Sequence, residues 1–185
     1  MSRARFPNYL LFCALLILVE VLPASAQTLP LPTLQIIPTE YSSRISPDAA
    51  IVFDYTTHFH VLLTNTSTAP INLFEEWNSF GYYGLSFEIK YPDGRTVHLV
   101  KKPRGWDKNF PSTVTIEPGG FYVFNVTFEP GIWENSILNE KAGEHGTRCR
   151  MQAIYSIESD KYAREERVWT GTIKSVERAY TFWGF

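Results

Sequence analysis

From residue 58 onward, apolar side chains recur at every second position in a series of short runs. In FHVLLTN, Phe59, Val61 and Leu63 share one face, and in LSFEIKY the set is Leu85, Phe87, Ile89 and Tyr91. In FYVFNVTF it is Tyr122, Phe124, Val126 and Phe128, and in TRCRMQAIYSIES it is Cys149, Met151, Ala153, Tyr155 and Ile157. An extended chain sends alternate side chains to opposite faces, so each run predicts a half-buried strand. VWTGTIKS and AYTFW supply closing strands. Turn chemistry separates the runs: NTSTAP (65–70), YPDGR (91–95) and EPGG (117–120), with proline preset for a first turn position and glycine tolerant of positive φ. YPDGR joins two alternating runs and predicts a hairpin pairing FEIKY with TVHLV. The charged stretch DKYAREER (160–167) reads as a solvated loop, with a helical turn as the alternative. Short strands, frequent turns and no amphipathic helix together predict an all-β fold, an antiparallel Ig-like β-sandwich of about seven to nine strands.

The N-terminus has a different grammar. Arg3 and Arg5 precede an apolar run from Leu10 to Val19, and Ala24-Ser25-Ala26 follows Glu20. A charged start, a short apolar core and an A-x-A site are the parts of a cleaved secretory signal peptide. The run is shorter than the roughly 20 residues a membrane-spanning helix needs. The expected organisation is therefore a signal peptide at 1–26, a Pro-rich tether or edge strand at 27–40 and one β-sandwich domain at 41–185. No membrane span is expected after cleavage, and the location is secreted, periplasmic or cell-envelope. A small outer-membrane barrel needs strands of about 9 to 11 residues, longer than most of these runs.

Cleavage would change the cysteine arithmetic. Of two cysteines, Cys13 leaves and Cys149 remains, so stability must come from a core instead of an internal disulfide. The formal net charge of -2 offers no basic surface for nucleic acid or an anionic membrane.

Several residues are candidates for chemistry. His58 and His60, spaced i, i+2 on one strand face, could share a metal ion if His98 or His145 supplied a third ligand; solvated or packed histidines are the alternative. Arg148 and Arg150 flank Cys149, but a strand points them away from its thiol, so Cys149 reads as a core residue. Adjacent carboxylates Glu75 and Glu76 would diverge on a strand and could not form a close acid/base pair without a bend. No nucleophile elbow, phosphate-cradling loop or paired-cysteine metal motif is present, so neither an enzyme nor a cofactor is expected. The richest stretch is LFEEWNSFGYYG, with Trp77, Phe80, Tyr82 and Tyr83 around Gly81 and Gly84, to which GWDKNFP adds Trp106 and Phe110. Aromatics on a sandwich-end loop either form a recognition surface or fold back to plug the open end. Trp77, Phe80, Tyr82, Tyr83 and Trp106 are the candidate binding residues. In a eukaryotic host, Asn65-Thr66-Ser67 and Asn125-Val126-Thr127 would read as glycosylation acceptors.

The runs LTNTSTAPINLFEEWNSFGYYGLSFEI, KKPRGWDKNFPS, IEPGG and VWTGTIKS resemble a family of exported all-β proteins of planctomycete-type bacteria. The resemblance implies an exported all-β domain; it implies no activity and carries over no catalytic residue. The expected function is thus an exported, non-catalytic β-sandwich module, binding or structural, with an unknown protein or glycan as partner. A carbohydrate-binding module using the loop aromatics and an Ig-like protease inhibitor are the alternatives.

Overall fold

A computed structural model describes residues 31–39, 49–53, 58–129, 131–134 and 146–184. The leader expected at 1–26, Cys13, residues 27–30 and His145 lie outside them. Eleven strands and two short helices are formed among the described residues: β1 (Thr33–Ile37), β2 (Ala49–Phe53), β3 (Phe59–Thr64), β4 (Ile71–Phe74), α1 (Ser79–Tyr82), β5 (Leu85–Lys90), β6 (Thr96–Leu99), β7 (Thr113–Ile116), β8 (Phe121–Val126), β9 (Thr147–Ile157), α2 (Lys161–Glu165), β10 (Gly171–Lys174) and β11 (Arg178–Gly184).

The fold is all-β and sandwich-like, and its sheets do not close into a barrel. One layer is a three-stranded sheet in the order β1-β3-β8; the other runs β2-β11-β9-β5-β6, with β10 also paired to β9. The alternating residues of the sequence line the space between them. Phe59, Val61 and Leu63 from one sheet and Phe87, Ile89, Met151 and Ala153 from the other are at most 1% exposed. Their rings interlock edge to face, Phe59 with Phe87 at 5.7 Å and with Phe128 at 4.9 Å. Cys149 belongs to this core, and Arg148 and Arg150 lie exposed on the opposite face of β9. The hairpin read from YPDGR is formed, with Phe87 opposite Leu99 and Lys90 opposite Thr96. Gly94 takes the positive φ of 87° that its turn requires.

Three expectations are corrected. Strands number eleven, above the seven to nine expected, because β4, β7 and β10 have only four residues each, too few to show a period. The sheets are not wholly antiparallel, since β2 pairs with β11 in parallel, Tyr180 opposite Ala49; a parallel pair needs a long connection, and these strands lie near opposite ends of the chain. DKYAREER takes the helical turn, the alternative reading, in place of the loop. Asp160 caps α2 by accepting from Ala163 N at 2.7 Å, and the turn buries Ala163 against the core.

Candidate functional site

The site arises from a register. β4 and β7 pair with Phe74 opposite Thr113, so the chain leaving β4 runs beside the chain entering β7. Glu75 N donates to Ser112 O at 3.0 Å and extends that ladder by one step. Beyond it the chain bends into α1, for which fully buried Asn78 is the cap: its side-chain oxygen accepts from Phe80 N at 3.0 Å and Gly81 N at 3.2 Å. Gly81 is required here, since a Cβ would lie 2.4 Å from Glu75 O and 2.6 Å from Phe74 O.

A hydrogen-bonded scaffold then holds two aromatic rings at the tip. Trp77 Nε1 donates to Glu75 Oε2 at 2.9 Å, Ser112 Oγ donates to the same oxygen at 2.6 Å, and Asn78 Nδ2 donates to Ser112 Oγ at 3.1 Å. The hydrogen bonds from Ser112 and Trp77 hold the Glu75 carboxyl below its ordinary range. Asn109 Oδ1 accepts from Ser79 N and fastens the second loop to the first. Trp77 and Phe110 meet edge to face at 4.9 Å while remaining 41% and 54% exposed.

The five aromatic candidates separate. Tyr82 is buried, Phe80 is half-buried between Phe74 and Tyr162 of α2, and Trp106 is half-buried. Trp77 and Tyr83 stand exposed. Buried and exposed rings thus both occur along this one bend.

Tyr82 turns toward a second feature, a cleft of about 170 Å³ at the end of β6 and β8. Its floor is Trp133, whose ring nitrogen donates to Thr127 O at 2.7 Å and whose backbone bridges Lys101. Lys101 buries its stem here, and its ammonium lies 2.8 Å from Glu76 Oε1 and 4.7 Å from the centre of the Tyr82 ring. Arg104 stacks on Trp106 at 4.1 Å and lies 5.1 Å from the Tyr82 ring centre. Burial pushes the Tyr82 phenol up, against the pull of the Arg104 charge and of the hydrogen bond it accepts from Arg104.

Lys101, Arg104 and Trp133 are absent from the residues singled out in the sequence, and Glu76 is weighed there only as half of an acid/base pair. A signal for Lys101 and Arg104 is the interleaving of cations and aromatic in KKPRGW; Trp133 gives none. Other candidates do not converge. His60 Nδ1 has no hydrogen-bond partner among the described residues, His58 is exposed, and His98 lies on β6 with Nδ1 3.8 Å from Glu88. No group of three or more metal-ligating side chains gathers among the described residues. Asn65 is fully buried and its amide donates to Ala69 O and Ile116 O, so it faces inward where no glycan fits; Asn125 is exposed at the cleft.

No protein-family model, curated protein or solved structure matches this chain. Among the described residues no helix is long and apolar enough to cross a membrane.

Proposed function

We propose that this chain is an exported, non-catalytic, Ig-like β-sandwich module that binds a partner through the aromatic loops at one end of its sheets. The observation that carries the reading is the Trp77–Phe110 pair, exposed in both rings yet fixed by the Glu75–Ser112–Asn78 hydrogen bonds. Large rings held rigidly in water lose little conformational entropy when a partner covers them, which favours their use as anchors. Glu75 and Glu76 support the non-catalytic reading. One carboxylate is tied to Trp77 and Ser112 and the other to Lys101, so they do not face a common reacting atom.

The test is capture from the host's envelope and secreted fractions by tagged protein, compared with Trp77→Ala/Phe110→Ala protein of unchanged far-UV and thermal profile. Capture lost in the variant supports the reading. Equal capture by both proteins, or none by either, sinks it.

A further inference from the structure

The cleft beside the aromatic tip has the chemistry of a defined ligand class. Arg104 forms no salt bridge among the described residues; its guanidinium lies 4.1 Å from the centre of the Trp106 ring and spends one donor on the Tyr82 hydroxyl, which leaves its other N–H groups for a ligand. An arginine fixed by stacking presents a pre-organised planar fork of donors that matches a carboxylate in two parallel hydrogen bonds. Lys101 differs, since Glu76 already answers its charge at 2.8 Å. The lining therefore keeps one cation without a carboxylate, and it places two kinds of neutral-group partner nearby. Glu76 can accept from hydroxyls, and the exposed Asn125 amide can both donate and accept. A ligand with one carboxylate and several hydroxyls satisfies all of these groups together. An acidic peptide can offer Arg104 the same carboxylate, but it lacks the set of adjacent hydroxyls that lets one sugar ring donate to Glu76 and both donate to and accept from Asn125.

We infer that the Glu76–Lys101–Arg104 cleft is a subsite for one uronic-acid residue of an acidic saccharide, its carboxylate on Arg104 and its hydroxyls between Glu76 and Asn125. The inference rests on the reading of the end loops as a binding surface and names its ligand. A volume of about 170 Å³ suits a single sugar ring more than a branched chain. The rest of the saccharide would run from the cleft across exposed Tyr83 toward the Trp77–Phe110 pair.

The experiment titrates the full chain, produced with its own leader, against oligogalacturonate, the matching neutral oligogalactoside and polyglutamate. Binding is followed by calorimetry and by fluorescence of the cleft tryptophans. Oligogalacturonate is expected to bind, with affinity falling as salt rises. Arg104→Gln should weaken it about tenfold or more, the effect of losing a charge-assisted fork, and Arg104→Lys should restore only part of that loss. Arg104 is exposed, so both variants should keep the parent's melting temperature. Equal binding of the neutral oligosaccharide overturns the carboxylate subsite while leaving the binding module standing. Equal binding of polyglutamate overturns the saccharide assignment. An unchanged affinity in Arg104→Gln, or no binding of oligogalacturonate, overturns the inference, and the separate capture test with the Trp77/Phe110 variant then decides whether the module reading falls with it.

Discussion

Asn78 is the residue on which the exposed tip depends, and replacing it by alanine should be costly in a calculable way. Its side-chain oxygen accepts from Phe80 N and Gly81 N, its amide donates to Ser112 Oγ, and Asn78 itself is fully buried. Loss of a helix cap costs about 1 kcal/mol. Water cannot readily replace the cap at Gly81, which is itself buried, so an unmet buried N–H adds about 1–3 kcal/mol. The sum, about 2–4 kcal/mol, is a large share of the roughly 5–15 kcal/mol that holds a domain together. For a domain of this size it corresponds to a fall of about 5–15 °C in Tm. Asn78→Ser keeps an oxygen at the cap and loses only the bond to Ser112, so it should recover most of the about 2–4 kcal/mol lost in Asn78→Ala. Urea unfolding followed by tryptophan fluorescence measures both variants against the parent. A cost for Asn78→Ala below about 0.5 kcal/mol, the ordinary range of surface changes, would refute the argument that this cap fixes the loop. Equal cost for Ala and Ser would refute the assignment of the loss to the cap.

Other perturbations have definite signs. Gly81→Ala should destabilise by about 3 kcal/mol or more, since its Cβ would overlap two backbone carbonyls that cannot swing aside; a melting temperature within a degree of the parent would count against the close approach. Tyr155→Phe should raise stability by about 1 kcal/mol, because the Tyr155 hydroxyl is buried without a hydrogen-bond partner among the described residues; chemical denaturation that shows a loss instead would reveal a partner. Glu177 accepts from Lys90 at 2.7 Å and Arg150 at 2.5 Å, and those bonds lower its pKa from 4.5, as those from Ser112 and Trp77 lower that of Glu75. A folded pKa below the unfolded value means stability that is fully present above pH 4.5 and is lost as pH falls through the lower folded value. Glu177→Gln should therefore flatten part of the acid limb of a stability-versus-pH curve, and a curve superimposable on the parent's would refute the linkage.

The strands with a period were legible because burial enforces it. Phe59, Val61, Leu63, Leu85, Phe87 and Ile89 alternate in the sequence and lie in the core as that alternation demands. Four-residue strands such as β4 (INLF) and β7 (TVTI) hold one or two periods at most, and their pairing comes from register with a distant partner. α2 hid behind its charge. Its cap Asp160 and buried Ala163 were visible as letters, but Tyr162 is placed by the edge-to-face contact with Phe80, a residue far away in sequence. The same limit governs the aromatics. Whether Trp77 is exposed and Tyr82 buried depends on the partners that residues 101–112 bring to them, and composition sees only that both are large and apolar.

The adjacent carboxylates show how one local rule acquires a function once the fold is known. Glu75 continues the strand ladder by one step and Glu76 begins the turn, and their carboxylates part toward different partners. The same divergence lets one dipeptide serve two structures. Glu75 turns to Trp77 and Ser112 and holds the exposed tip, while Glu76 turns to Lys101 and offsets an ammonium whose side chain is only 9% exposed. Without Glu76 that ammonium would bear an uncompensated desolvation cost and would draw away from the Tyr82 and Trp133 rings that wall the cleft. Tip and cleft are therefore fixed relative to each other by two consecutive residues at the end of β4. A ligand spanning both meets a surface whose spacing is set before it arrives, so less of its binding energy is spent on ordering the loops.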